Sequence, residues 1–247
     1  MPHAVSRLRA ARLARTHTPY RAPGGFKSER CERCRLLPSH CMCALMPRVA
    51  TRAGVCLLMA DIEPLKPSNT GWLIADLVAD TFAFSWARTV VDPTLLALLQ
   101  DPQWQPFVVF PGEFVAPGRV ITDLPQDTVN PAPGAKRPLF ILLDATWGEA
   151  RKMFRKSPYL DALPVLSLQL EQVSQYKLRR SRRDDHFCTS EVAALCMSLA
   201  GETRAGETLE AYLDVFSHHY LQAKNNQPIA WEDEAHQRLR ALAVAPT

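Results

Sequence analysis

The chain has 247 residues, 47% of them hydrophobic, with a formal charge of +4, the make-up of a folded protein able to bury a sizeable core. Its apolar runs fall well short of the ~18 residues that suggest a membrane span. No charged n-region, apolar h-region and cleavage site follow one another, so secretion is not expected either. Charge is spread unevenly: residues 1–52 hold eleven Arg or Lys against two acids, a net of +9 that leaves −5 for the rest. A basic N-terminal part on a mildly acidic body points to a phosphate-bearing partner such as RNA.

Residues 1–24 lack apolar periodicity and run into Pro23-Gly24-Gly25, which predicts a flexible basic arm. An Arg-rich, acid-free start also fits an organelle transit segment. Residues 25–48 form a second unit. Four of the seven cysteines fall within thirteen residues, as Cys31-x2-Cys34-x6-Cys41-x-Cys43. Four thiolates complete a tetrahedral zinc site and leave no position open for catalysis, so a structural Zn2+ knuckle is expected. Unligated or redox-active thiols are the alternative. The scattered Cys56, Cys188 and Cys196 read as small core residues, and the clustering argues for a reducing, cytoplasmic setting over a disulfide framework.

Residues 49–247 alternate short apolar runs with helical patterns, which predicts an α/β domain with a mostly parallel sheet flanked by helices. Strands are expected at 54–60, 82–86, 107–110, 139–144 and 165–168. Helices are expected from about 68–70 onward, over 94–99, 149–156, 191–199, 207–223 and in the tail 231–242; residues 111–138, rich in Pro and Gly, read as loop. Glu63-Pro64-Leu65-Lys66-Pro67-Ser68-Asn69-Thr70-Gly71 links the first strand to its helix. Ser68, Asn69 and Thr70 there offer either a plain N-cap or an anion site.

The run Leu139–Leu143 ends in Asp144-Ala145-Thr146-Trp147, so an acid, a hydroxyl and an indole emerge together at the carboxyl end of a buried strand. Ligands of open α/β sheets bind at that edge. A partly desolvated carboxylate there is a usable proton acceptor. Arg151-Lys152-Met153-Phe154-Arg155-Lys156-Ser157-Pro158-Tyr159 follows, with four cations in six residues and a nearby aromatic, which suits an RNA backbone and one stacked base. A solvated basic helix face is the rival reading. Arg179 and Arg180 repeat the theme before Thr189-x-Glu191 opens another helix.

With the cysteine knuckle, the Glu63–Gly71 segment, Val108-Val109-Phe110-Pro111, Leu143–Trp147, Arg151–Leu160 and Thr189-x-Glu191-Val192-Ala193 in this order, the chain resembles the DTW-domain tRNA-uridine aminocarboxypropyltransferases over roughly residues 30–225. The resemblance implies a fold related to the SPOUT RNA methyltransferases, with a trefoil knot at the cofactor loops. It also implies transfer of the 3-amino-3-carboxypropyl group of S-adenosyl-L-methionine to N3 of a tRNA uridine, at position 47 of the variable loop, releasing methylthioadenosine. In that picture Asp144 is the general base, with Thr146 and Trp147 beside it. Ser68, Asn69, Thr70, Phe110, Pro111, Gly112, Leu166, Leu168, Thr189 and Glu191 surround the cofactor. Lys66, Arg151, Lys152, Arg155, Lys156, Tyr159, Arg179 and Arg180 meet tRNA. Two other readings stay open: an RNA methyltransferase on the same fold, and a zinc-dependent RNA-binding factor without catalysis. No membrane and no obligate protein partner are expected.

Overall fold

The computed structural model describes residues 2–16, 29–168 and 187–244. Its six strands are β1 (Gly54–Met59), β2 (Thr81–Ser85), β3 (Trp104–Val109), β4 (Val120–Ile121), β5 (Arg137–Asp144) and β6 (Val165–Leu166). They pair in the order β2-β1-β5-β3-β6-β4, parallel throughout. The parallel α/β architecture expected from the alternating pattern is therefore present. β5 lies between β1 and β3, and β6 between β3 and β4, so both late strands enter between strands already laid down.

A parallel sheet must be covered on both faces, because its crossovers lie there. Alternation along the strands sends Val55, Leu57, Phe107, Val109, Phe140, Leu142 and Leu166 to one face. That face is covered by α1 (Ala4–Ala14), α2 (Gly71–Leu77), α6 (Thr189–Leu199), α7 (Thr203–Asn225) and α8 (Glu234–Val244). Cys56, Leu58, Val108, Leu139, Ile141 and Val165 point the other way, against α3 (Pro93–Gln100) and α5 (Trp147–Arg155). Cys56 and Cys196 are wholly buried core residues, as their apolar surroundings suggest. Among the described residues no helix is long and apolar enough to cross a membrane.

The structure departs from the sequence reading in four places, each for a local reason. Residues 4–14, expected within a flexible arm, form α1. Ala, Leu and Arg are strong helix formers, His3 caps the first turn by accepting from Ser6 N at 3.2 Å, and Val5 is fully buried against the first core. One such anchor per turn is too few to register as periodicity. Within the supposed loop 111–138 lie β4 and α4 (Gln126–Val129), elements shorter than any pattern can reveal. β3 starts three residues before Phe107 and includes Pro106. That proline is tolerated because β6 pairs only with Val108 and Val109, leaving the earlier part of β3 as an edge. The knuckle, finally, is no separate body: Leu36 and Met42 are buried in the same core as Trp72 and Phe216.

Candidate active site

Everything in the chemistry-bearing segments converges on the carboxyl edge of the sheet. Asp144 ends β5, and by alternation its side chain falls on the face covered by α2 and α6. Both carboxylate oxygens are held there: Asn69 Nδ2 donates to Oδ2 at 2.7 Å and Thr189 Oγ1 to Oδ1 at 2.8 Å. Asn69 Nδ2 also lies 3.2 Å from Glu63 Oε2, and Lys66 Nζ reaches Glu63 Oε1 at 2.7 Å. Ser190 N approaches Thr70 Oγ1 at 3.4 Å, closing the same seam from the helix side. Asp144, Glu63 and Asn69 have no exposed surface. Buried carboxylates need such partners, because an unpaired one in a low-dielectric interior costs several kcal/mol. A methyl group at Gly71 would stand 2.7 Å from Asp144 Oδ2, so glycine is required for the close approach of α2 to the acid.

Asp144 is thus not presented to a substrate in this conformation. Expected as a general base in a partly desolvated position, it fastens together β5, the 63–71 segment and the start of α6. Asn69 and Thr70 are buried, and α2 begins with Thr70 as N-cap but without a side-chain cap bond. Lys66 pairs with Glu63 and keeps part of its side chain exposed. Thr189 gives its hydroxyl to Asp144, while Cys188 is the N-cap of α6 and Glu191 completes the capping box by accepting from Cys188 N at 2.7 Å. Thr146 caps α5 and shares its hydroxyl with Glu149, leaving the residue exposed but engaged. Ser68 is half-buried beside this seam.

The opposite side of the same edge is aromatic. Phe110, just past β3, stacks on Phe154 at 4.4 Å between centroids and on Trp147 at 5.5 Å. Phe114 meets Trp147 edge-on at 5.6 Å, and the Arg151 guanidinium sits over Trp147 at 5.7 Å. A wall of parallel rings with a cation above it is the standard means of holding a flat heterocycle. The loops after β3 and β6 are tied together beside it, with Phe110 N donating to Leu166 O at 3.2 Å and Gly112 N to Ser167 Oγ at 3.0 Å. Pro111, Gly112 and Leu168 lie on these two loops, half-buried, and Leu166 is core. Arg151, Lys152, Arg155 and Lys156 are all exposed on the solvent side of α5, and Tyr159 follows half-buried. Arg179 and Arg180 lie outside the described residues.

Cys31, Cys34, Cys41 and Cys43 bring their sulfurs within 4.8 Å of one another. The closest approaches are 3.5 Å for Cys31–Cys43 and 3.7 Å for both Cys34–Cys41 and Cys41–Cys31. Sulfurs at the corners of a tetrahedron with Zn–S bonds of about 2.3 Å lie about 3.8 Å apart, so the four thiols fit a metal ion such as zinc. Burial pushes the Cys34 thiol up to about 11 and Cys43 higher still, so loading an ion displaces protons.

Two residues of this region were not anticipated as site residues. Glu63 stood in a quoted motif but was read only as loop. Arg35, one residue beyond Cys34, is 3% exposed and points inward. Phe114 and Phe154 likewise joined the aromatic wall unannounced. Only an acid or arginine flanked by apolar residues on both sides hints at such burial, and neither segment carries that pattern strongly.

No solved structure matches the chain. The family model for the DTW domain matches residues 28–221, from the knuckle through most of α7, and covers every segment assembled at the carboxyl edge. The chain therefore belongs to the DTW-domain family, which is associated with tRNA-modifying enzymes.

Proposed function

We propose that this protein transfers the 3-amino-3-carboxypropyl group of S-adenosyl-L-methionine to N3 of a tRNA uridine, in the variable loop at position 47. The observation that carries the reading is the construction of α5. Its first residue, Trp147, stacks in the aromatic wall, while Arg151, Lys152, Arg155 and Lys156 of the same segment face solvent. A flat-ring platform and a phosphate-binding strip on one short segment, beside two tied loops at a parallel sheet's carboxyl edge, suit one nucleotide and one adenosyl cofactor. The fold reading extends to a SPOUT-like trefoil knot, supported by the late entry of β5 and β6 between earlier strands.

In the reaction, uridine N3 attacks the γ-carbon of the methionine moiety. The bond from that carbon to the sulfonium breaks, methylthioadenosine leaves, and the N3 proton is released. Attack at the γ-carbon in place of the methyl demands that cofactor and base be held in one alignment, which is where most of the rate arises. Asp144 serves this alignment as a positioning residue. It links the 63–71 segment to α6 through Asn69 and Thr189, and as the acid that ends β5 it is the candidate general base for the N3 proton. Zn2+ in the knuckle, with four protein ligands, supplies structure and no chemistry at the uridine.

The test is nucleoside mass spectrometry of tRNA incubated with the protein and S-adenosyl-L-methionine. An aminocarboxypropyl adduct on uridine is the expected product. A methyl adduct would make the chain a methyltransferase on this fold, and unmodified tRNA despite tight binding would make it a binding factor.

A further inference from the structure

We infer that Arg35 is a positioning residue that couples the metal knuckle to the Asp144 junction, so that metal occupancy governs the geometry of the site proposed above. The coupling rests on that functional reading for its purpose, though not for its structural test.

The chain of contacts is short. Arg35 follows Cys34 directly and closes the Cys31–Leu36 turn, in which Arg35 N donates to Cys31 O at 2.8 Å and Cys31 N to Leu36 O at 2.8 Å. Its φ of +63° is left-handed, a region that disfavours every side chain except glycine's hydrogen. An arginine kept at such a position implies that the side chain is needed. It leaves the knuckle inward, with its guanidinium 4.4 Å from the Trp72 ring centroid and 5.6 Å from that of Phe216. Nη1 donates to three carbonyls of one segment: Lys66 O at 3.3 Å, Pro67 O at 3.2 Å and Asn69 O at 3.0 Å.

Those carbonyls belong to irregular backbone before α2; Lys66 O also accepts from Asn69 N at 3.0 Å in a turn, and no regular helix or strand ladder runs through the segment. Arg35 is the cross-link that shapes the segment. Asn69 then carries the constraint onward within a single residue: its carbonyl is held by Arg35, and its side-chain amide holds Asp144 Oδ2 at 2.7 Å. Cys34 is thus two residues and one side chain away from the fastening of the site. With a metal ion bound, Cys34 is fixed and the left-handed turn is maintained. With the ion gone, the turn is free to relax, the guanidinium loses its seat, and the 66–70 segment and Asn69 go with it. The knuckle acts as a switch on the catalytic loop, in addition to stabilising the fold.

The experiment is hydrogen exchange on the metal-loaded full chain and on Arg35→Met and Arg35→Lys variants, with metal content measured on each, before and after stepwise chelation. Arg35→Met should retain its metal, yet exchange roughly ten-fold faster across residues 66–73 and 144–146, and Arg35→Lys should recover part of that protection. Chelation should loosen the same two segments in the wild type well before, and by more than, β1 and β3. In Arg35→Met it should add little there, because both changes break one link. Equal, additive effects of chelation in both proteins would overturn the inference, as would an unchanged 66–73 segment in the variant. If Arg35→Met does not fold, the wild-type titration decides: loss of protection at 66–73 in step with metal release supports the link, whereas persistent protection, or collapse of the whole chain at once, refutes it. A split between kcat and KM gives the functional reading separately, with Arg35→Met expected to lower kcat by more than ten-fold. A wild type that performs no transfer sinks the proposed reaction and leaves the exchange result standing.

Discussion

Asp144 is a strand-end acid whose surroundings the local sequence does not disclose. Its strand-end position was legible; its two donors were not, because Asn69 and Thr189 are 75 and 45 residues away in the chain. The clamp makes a graded prediction. In Asp144→Asn the Thr189 hydroxyl can turn from donor to acceptor, so both contacts survive and only the charge is lost, at a cost of about 1 kcal/mol. Asp144→Ala removes the acceptor of the half-buried Thr189 hydroxyl and leaves the buried Asn69 amide with Glu63 alone, and should cost roughly 2–4 kcal/mol. Denaturant titration should separate the two; equal losses would mean the acid does not hold this seam. Gly71→Ala should damage transfer at undiminished metal content, because its new methyl meets Asp144 Oδ2, Asn69 Oδ1 and Leu57 within 3.3 Å, and the 2.7 Å contact forces a shift at the acid. A third residue reports through pH. Burial raises the Asp76 carboxyl to about 6 from an ordinary 3.8, so the folded state holds its proton where the unfolded chain has lost it. Stability attributable to this group falls as pH rises from about 4 to about 6 and is level above. Asp76→Asn should therefore gain on the wild type across that window, by up to roughly 3 kcal/mol in denaturation experiments at fixed salt. A pH-independent difference would show that the group titrates normally.

Among the elements, α5 was the easiest to read and α1 the hardest. The α5 segment announces itself by Thr146 and Glu149, which do form the capping box, and by cations on one face and Ala150, Met153 and Phe154 on the other. The exposure of Arg151, Lys152, Arg155 and Lys156 makes a specific expectation: replacing all four by Gln should weaken tRNA binding and lower the slope of log affinity against log salt by about two to four. An unchanged slope would move the phosphate contacts elsewhere. Trp147→Ala should cost about 1–3 kcal/mol of binding through lost stacking, with little change in the salt slope. Helix α1 hid because its hold on the core is a single fully buried valine, Val5, supported by the half-buried Leu8. The aromatic wall was half visible. Trp147, Phe110 and Phe154 stood in motifs, whereas Phe114 did not, and the four meet only once β3 and β5 are adjacent.

At the scale of the whole molecule, strand and helix alternation was enough to predict a parallel sheet, since parallel strands require covered faces and leave continuous apolar runs such as Leu139–Leu143. Strand order was beyond reach: nothing in the local pattern says that β5 slips between β1 and β3. The same limit hid the union of knuckle and sheet layer, because Leu36 and Met42 look like ordinary loop residues until they are found beneath Trp72 and Phe216. Since they share that core, removing the metal should lower the melting temperature of the whole chain and not merely release its N-terminal part. The central claim, however, concerns which group leaves the cofactor. It is tested most directly with S-adenosyl-L-methionine labelled separately in the carboxyl carbon and in the methyl carbon, followed through one incubation with tRNA. The account predicts carboxyl label in uridine and methyl label in methylthioadenosine; methyl label in the tRNA, with carboxyl label left in solution, would contradict it.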